Sequence, residues 1–258
     1  MSNKQQYYPL SFSSLKAFAR SPLSFVEYKT AKREPTAAME FGTLVHMAAL
    51  EPDRYRTEIA IWDGRRAGAE YKSFVECNPT KRIITAKQAM DVRTAHTRLM
   101  EHGLSCGLLG DLDLREKPFE ITHQGIPHRG IIDGMNNWAI VDLKVTQRVD
   151  HHSLQRTIWE FKYYMQAAIY MRAAELLGHR PQSYFIIAVE SAAPHHVSVV
   201  ELEEHYLARG LMEWERLLKR FEDWDGEPHH DHDIGKGYTM MDAPAWVPAL
   251  EFDGDKLA

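Results

Sequence analysis

Apolar residues recur at three- and four-residue steps through much of residues 1–105, and this spacing predicts a mostly helical N-terminal part. Four segments carry the pattern: SFSSLKAFARSPLSFVEY (11–28), AMEFGTLVHMAALEP (38–52), RAGAEYKSFVEC (66–77) and TAKQAMDVRTAHTRLMEHG (85–103). In the last segment, Thr85 is the expected N-cap and Gly103 the expected terminator. We therefore expect at least four helices before the character of the chain changes.

From residue 106 onward, short β-rich runs separated by turn residues replace the helical spacing, which predicts strands. Three consecutive antiparallel strands are expected in REKPFEITHQG (115–125), IPHRGIID (126–133) and NWAIVDLKVT (137–146). A long helix (153–177), two strands (183–191 and 195–203) and an amphipathic helix (203–224) are expected after them. This order predicts one α/β domain over 1–258, with a mixed sheet flanked by helices. Its parts would be a helical region (1–105), a core (106–224) and an irregular tail (225–258).

Composition narrows the functional classes without selecting one. The chain has 258 residues and a formal net charge of −5, so any contact with nucleic acid must come from a local basic patch. Its two cysteines can build neither a disulfide framework nor a four-cysteine metal site, which fits a reducing cytoplasm. The first residues lack the apolar core of a signal peptide, and no apolar run reaches membrane length.

Two aspartates and a lysine stand at the ends of neighbouring predicted strands. Side chains alternate along a strand, so Asp142 and Lys144 share a face, and Asp133 can join them after the turn. Carboxylates suit hard divalent cations, which activate water and stabilise charge during phosphodiester hydrolysis. A lysine beside them can hold the attacking water or the phosphate. The alternative, a solvated strand end beside a turn aspartate, has about equal weight because Asp-x-Lys is short and common.

Two further elements offer groups to the same chemistry. In FKYYMQAAIYMRAA, Gln166 and Tyr170 lie four residues apart on one helical face that Tyr163 shares, and these side chains can contact water or phosphate. His46 lies in an apolar helical segment and could add an imidazole ligand, which would favour tolerance of Mn²⁺. Taken singly, the tyrosines are more often half-buried packing residues, and such a histidine is more often structural.

Together these segments resemble the PD-(D/E)XK nuclease superfamily, and specifically the nuclease domain of RecE, exodeoxyribonuclease VIII, with its phage relatives. The matching pieces keep their order along nearly the whole chain: FGTLVHMAALEPDRY, RRAGAEYKSF, ITAKQAMDV, HRGIID, WAIVDLK and YYMQAAIY. The resemblance implies a restriction-endonuclease-like core and assigns roles to residues. The implied metal ligands are His46, Asp133, Asp142 and the carbonyl of Leu143. Lys144 would position the nucleophilic water, while Gln166 and Tyr170 would contact water or phosphate.

The first core strand leaves one role open, because Glu116 could fill its acidic position and Glu120 lies on the same predicted face. The sequence also departs from the family pattern. Gly134 stands where relatives often carry a basic residue, and Val145 replaces a common threonine. Some related nucleases hold an iron–sulfur cluster through cysteines near both ends. Arg20 occupies the N-terminal position here, so we expect no iron–sulfur cluster.

The resemblance also implies a function and partners. It implies an Mg²⁺- or Mn²⁺-dependent exonuclease that digests double-stranded DNA from its ends, 5′ to 3′, forms a homo-oligomeric ring and works beside a single-strand annealing protein. The expected basic DNA contacts are Arg129, Arg65, Arg66 and Arg148. The alternatives are a DNA-binding or assembly module that kept the fold but lost catalytic rate, and an endonuclease of the same superfamily. The histidine-rich stretch 227–233 could bind zinc, but its crowded spacing favours an exposed tail.

Overall fold

A computed structural model describes residues 3–32 and 34–229 of the chain. After a short 3₁₀ helix (Asn3–Tyr7), the helices are α1 (Phe12–Arg20), α2 (Pro22–Thr30), α3 (Ala37–Leu50), α4 (Pro52–Glu58), α5 (Ala69–Cys77), α6 (Ala86–Glu101), α7 (Gly103–Gly110), α8 (His151–Glu160), α9 (Tyr163–Leu176) and α10 (Glu204–Asp223). The strands are β1 (Ile59–Trp62), β2 (Arg82–Thr85), β3 (Leu114–His123), β4 (Ile126–Met135), β5 (Ala139–Thr146), β6 (Ser183–Glu190) and β7 (Val197–Glu201).

Side-chain caps explain where the N-terminal helices begin. Ser11, Ser21, Thr36 and Thr85 each accept a hydrogen bond from the backbone N–H three residues later, which satisfies a donor that the first helical turn leaves free. The helical N-terminal part is thus confirmed. The termination predicted at Gly103 is confirmed, because α6 ends at Glu101 with His102 as its C-cap. The helix α7, which begins at Gly103, was not predicted from the sequence pattern.

The central sheet has five strands in the order β3-β4-β5-β6-β7. The first three run antiparallel, β5 and β6 run parallel, and β7 returns antiparallel, so the predicted mixed sheet is confirmed. Gln124 and Gly125 both have positive φ in the two-residue turn that joins β3 to β4, which suits a tight hairpin. A separate two-stranded parallel sheet of β1 and β2 was not predicted.

Helices cover both faces of this sheet. One buried apolar cluster packs β-strand residues such as Ile132 and Ile186 against α1, α2, α8, α9 and α10. A second cluster packs Val141, Leu143 and Ile187, which point to the opposite face, against α3, α6 and α7. The alternation along β5 therefore places Asp142 and Leu143 on opposite faces, as the sequence predicted.

The single long helix predicted over 153–177 is wrong: the structure divides it into α8 and α9. Lys162 takes a left-handed backbone conformation (φ 58°) and separates the two helices without a glycine or proline. Its ammonium group pairs with the carboxylate of Glu213 on α10, and the Tyr164 hydroxyl donates to the same carboxylate. These contacts fix the break, which turns the first residues of α9 toward the end of β5.

The strands β4 and β5 form a fork, and the fork determines where the site can lie. They pair only at Gly134–Val141 and Met135–Ile140. Continuing the same register would place Asp133 opposite Asp142, but the strands part there. Farther along β4, the chain near Leu10 takes the place of β5: Leu10 N–H donates to the Pro127 carbonyl at 2.9 Å, and Arg129 N–H donates to the Leu10 carbonyl at 2.8 Å. Asp133 and Asp142 are therefore the first residues beyond the point where the pairing of β4 and β5 ends.

A buried histidine supports the outer part of β4. His128 is 1% exposed; its Nδ1 lies 2.8 Å from the Ile126 carbonyl and its Nε2 accepts a hydrogen bond from the Trp214 indole at 3.2 Å. This pattern requires the neutral imidazole with its proton on Nδ1. Burial is the main reason that the pKa of His128 is lowered to about 4, and nearby His123 lowers it further.

We expect acid to weaken the fold through His128. With the pKa near 6.5 in the unfolded chain and about 4 in the folded chain, the unfolded state binds the proton more readily between these values. The free energy of unfolding should therefore be highest above pH 6.5 and fall by about 3 kcal/mol as the pH drops to 4. Denaturant titrations of wild type and His128→Gln at pH 7 and 4.5 would measure this. An equal loss in both proteins would remove the assigned role of His128.

Candidate metal centre

Three side chains from different elements meet beside the fork. His46 of α3, Glu116 of β3 and Asp133 of β4 each offer a ligand atom, and these atoms lie within 4.8 Å of one another. His46 Nδ1 is 3.6 Å from Glu116 Oε1 and 3.8 Å from Asp133 Oδ2. Glu116 and Asp133 lie across from each other in the gap between the paired residues Arg115–Gly134 and Lys117–Ile132 of β3 and β4. The long separation in sequence between His46 and the two acids is thus closed by the fold.

The charges of this cluster fit a cation. Two carboxylates that face each other across a strand pair repel, and Glu116 adopts φ +45°, a costly conformation for a residue with a side chain. Burial disfavours the charged imidazole of His46, but Glu116 and Asp133 outweigh it and raise the pKa of His46 above its ordinary value. Ligands about 2.1 Å from a common ion lie at most about 4.2 Å apart, and both distances from His46 are shorter than this limit. The donor set therefore suits Mg²⁺ or, with its imidazole nitrogen, Mn²⁺.

Asp142 lies next to this cluster but pairs with Lys144 rather than joining the three ligand atoms. Lys144 Nζ lies 2.7 Å from the Asp142 carboxylate, which is 1% exposed, and the Gln166 side-chain amide donates to Asp142 Oδ1 at 3.2 Å. The structure thus brings Asp142, Lys144 and Gln166 together, as expected. The assignment of Asp142 as a direct metal ligand remains a prediction, whereas Glu116 takes the third position in the cluster.

The buried pair keeps a positive charge beside the cluster. Burial raises the pKa of Asp142 to about 6, although Lys144 acts in the opposite direction. For Lys144, burial favours the neutral amine, but Asp142 and Asp133 outweigh it and raise the pKa above its ordinary value. Lys144 is therefore an ammonium group at neutral pH. An ammonium group there can donate to a water or a phosphate oxygen.

Three tyrosines of α9 and β6 surround the Asp142–Lys144 pair. Tyr170 is buried against Phe119, and burial together with nearby Asp142 raises the pKa of its phenol, so it remains a neutral donor. Tyr163, half-buried at the start of α9, has Lys144 Nζ 4.8 Å from its ring centroid. Tyr184 of β6 is fully buried, and it was missed because its strand reads as uniformly apolar. The face that joins Gln166 and Tyr170 was predicted, and the structure places both near Asp142.

Leu143 contributes through its backbone. Its side chain is fully buried in the second apolar cluster, and its N–H donates to Asp133 Oδ2 at 2.9 Å. Because β4 and β5 do not pair at this position, the Leu143 N–H has no backbone acceptor on β4. The Asp133 carboxylate accepts its hydrogen bond instead, and this bond holds the carboxylate in place. The role implied for the Leu143 carbonyl, a metal ligand, remains a prediction.

The structure distinguishes the two glutamates that the sequence left open. Glu116 contacts His46 and faces Asp133, whereas Glu120 is exposed and lies opposite Arg129. The departure at Gly134 also has a structural reason. A Cβ there would approach Leu112 Cδ1 to 2.5 Å, so a larger residue would require Leu112 to move.

The four arginines predicted to contact DNA lie in different places. Arg129 is exposed on β4 near the fork, and Arg148 follows β5, where it pairs with Asp150 at 3.0 Å. Arg65 and Arg66 lie in the loop after β1, and within the described ranges neither contacts the acidic groups of the site. Sequence reasoning missed Lys16 of α1: burial lowers the pKa of its ammonium group, and nearby Lys144 lowers it further. Most of the stretch 227–233 lies outside the described residues.

Comparisons with known proteins identify the family. No curated protein matches the sequence. The crystal structure of a "Putative exonuclease" from Eubacterium rectale superposes with a TM-score of 0.61, covering 94% of this chain and 92% of that chain at 15% identity, which supports the same fold. In the described part of the protein, no helix is long and apolar enough to cross a membrane. A family model matches residues 11–230, so the chain belongs to the family described as "PDDEXK-like domain of unknown function (DUF3799)".

Proposed function

We propose that the protein is a metal-dependent DNA exonuclease. The observation that carries this proposal is the meeting of His46, Glu116 and Asp133 within 4.8 Å of one another, directly beside the Asp142–Lys144 pair at an opened strand end. Three oxygen and nitrogen donors next to a lysine that is paired with a carboxylate suit phosphodiester hydrolysis. Membership of a PDDEXK-like family and the likeness to a protein named as an exonuclease support the same reading.

Each group has a distinct part in this proposal. His46, Glu116 and Asp133 would hold Mg²⁺ or Mn²⁺, with Asp142 and the Leu143 carbonyl as further candidates. The ion would supply positive charge against the charge that develops on the phosphate and would acidify water. Lys144, kept charged by Asp142, donates to the attacking water or the phosphate and so fixes the direction of attack. Gln166 orients Asp142, and the neutral Tyr170 phenol lies beside them as a possible hydrogen-bond donor.

The finer parts of the proposal rest on the resemblance to the RecE nuclease domain. We propose digestion of linear double-stranded DNA from its 5′ ends, which leaves 3′ single strands for recombination by strand annealing. A single-strand annealing protein and a homo-oligomeric ring are the corresponding partner and assembly. The order of the matching motifs along the chain supports all three.

Linear and circular duplexes of the same sequence test the activity. With Mg²⁺ or Mn²⁺, the protein is expected to consume only the linear form, and chelation of the metal should stop digestion. Duplexes labelled at either the 5′ or the 3′ end would give the polarity. Nicking of the circle would instead indicate an endonuclease, and retardation of both forms without cleavage would indicate a binding module.

A further inference from the structure

A groove extends away from the Asp142–Lys144 pair along one side of α8. Its volume is about 540 Å³, and it is lined by the end of β5, by α8, and by the residues at the α8–α9 break. The lining combines arginines, hydroxyl groups and aromatic rings, and the main members are Arg148, Arg156, Thr157, Phe161 and Tyr163. A surface that offers cations, hydrogen-bonding groups and flat rings together is suited to a nucleotide rather than to an apolar ligand.

The aromatic part of the groove touches the catalytic lysine. Phe161 and Tyr163 are stacked with centroids 5.9 Å apart and planes 22° apart, and the Tyr163 ring lies 4.8 Å from Lys144 Nζ. Phe161 is 42% exposed, although burying it would be favourable. The left-handed residue Lys162 between them, tied to Glu213, holds the two rings on the same side of the chain. An exposed ring fixed beside the scissile position can accept a base.

Two cations lie close to the aromatic part of the groove: Lys16 approaches the Phe161 ring, and Arg156 lines the groove together with that ring. Lys16 is half-buried, with its ammonium group 5.3 Å from the Phe161 centroid and 5.6 Å from the Phe12 centroid. Within residues 3–32 and 34–229, neither Lys16 nor the exposed Arg156 forms an ion pair with a carboxylate. A half-buried ammonium group that lies over aromatic rings, with Lys144 nearby, gains from an anionic ligand.

We propose that this groove binds the nucleotide next to the scissile phosphate, with its base stacked on Phe161 and its phosphate between Lys16 and Arg156. The proposal rests on the nuclease function and specifies how the site grips its substrate. Glu160, the one carboxylate among the residues that line the groove, is available to accept a hydrogen bond from a base amino group. Because the ring must meet a base face, the nucleotide has to lie at a duplex end or leave the duplex stack, so the groove selects a strand end or an unpaired strand.

Binding without cleavage tests the groove. In metal-free buffer at low salt, fluorescence anisotropy would compare a single-stranded oligonucleotide with the same backbone lacking its bases. Wild type is expected to prefer the oligonucleotide that carries bases by about tenfold, the usual worth of one stacked base. Phe161→Ala should bring this ratio close to one. Trp159→Ala is the matched control, since Trp159 is 40% exposed two residues before Phe161 but packs against Tyr164 and Tyr206, and it should keep the ratio.

The contributions of Lys16 and Arg156 can be recognised by the salt dependence of binding. Lys16→Ala and Arg156→Ala should weaken both oligonucleotides equally and each lower the salt slope of binding by about one. A ratio that Phe161→Ala leaves unchanged, or a wild type without base preference, would overturn the subsite. Wild type that prefers bases but never cleaves linear duplex would overturn the nuclease function while the subsite stands. If wild type cleaves linear duplex but Phe161→Ala keeps the wild-type preference for bases, the nuclease function stands and the subsite is overturned.

Discussion

Replacing Glu116 by glutamine is expected to abolish cleavage and to lower the affinity for Mn²⁺ by at least about a hundredfold. Loss of a group that merely supports a metal ligand typically costs about 10- to 100-fold in affinity, and Glu116 is one of two carboxylates in the cluster. Glutamine keeps the shape and can still contact His46, so the change removes charge and little else. Titration calorimetry with Mn²⁺ and digestion of linear duplex would measure the two effects.

Glu120→Gln is the matched control for this experiment. The two glutamates share a strand and a predicted face, but Glu120 is exposed and lies opposite Arg129. We expect Glu120→Gln to bind Mn²⁺ and digest DNA like wild type. If Glu120→Gln loses metal while Glu116→Gln keeps it, the composition of the metal centre given above is wrong.

Replacing Lys144 by methionine is expected to lower turnover by about 10²- to 10⁴-fold, the usual worth of a positioned proton donor or charge-stabilising group. Metal affinity should be little changed or higher, because Lys144 is not one of the three ligands and its charge repels a cation. Single-turnover digestion and calorimetry would separate these effects. A calorimetric loss of metal binding in this variant would contradict the role given to Lys144.

Stability has to be controlled in that variant. Lys144→Met leaves the Asp142 carboxylate buried without its partner, and breaking such a pair costs about 3–5 kcal/mol. Activity should therefore be compared at a temperature where circular dichroism shows the variant folded. His128→Gln instead disturbs a buried side chain that the Trp214 indole hydrogen-bonds, outside the metal centre and the groove. It is expected to lower stability without the loss of turnover per folded molecule.

Much of the fold could be predicted because local signals agree with the tertiary structure. Serine and threonine caps mark the starts of α1, α2, α3 and α6, and the turn at Gln124 and Gly125 marks the first hairpin. The alternation along β5 correctly separates Asp142 from Leu143. The short strands β1 and β2 were missed, since each has four residues and no alternating pattern long enough to recognise.

Other features depend on contacts that the sequence does not display. The break between α8 and α9 has no glycine or proline, and it depends on the pairing of Lys162 with a glutamate on α10. The choice between Glu116 and Glu120 depends on which of them the register places opposite Asp133. The closeness of Lys16 to Phe161 joins α1 to the start of α9, a contact between distant parts of the chain.

The site follows from how the sheet opens. Because β4 and β5 part at Asp133 and Asp142, an aspartate side chain takes over the N–H of Leu143 and is held rigidly. The strand β3 then supplies Glu116 opposite Asp133, and α3 brings His46 to both. The helix α9 closes the other side with Gln166 and Tyr163. Each group is thus fixed by an element of the core rather than by a loop, which favours a preorganised centre.

Anomalous diffraction from crystals soaked in Mn²⁺ would show directly whether the three side chains bind a metal ion. We expect a peak within about 2.0–2.3 Å of His46 Nδ1 and of carboxylate oxygens from Glu116 and Asp133. Such a peak would also show whether Asp142 or the Leu143 carbonyl joins the coordination. Manganese bound elsewhere on the protein, with these three side chains free of it at saturating concentration, would contradict the proposed metal centre and the nuclease function that depends on it.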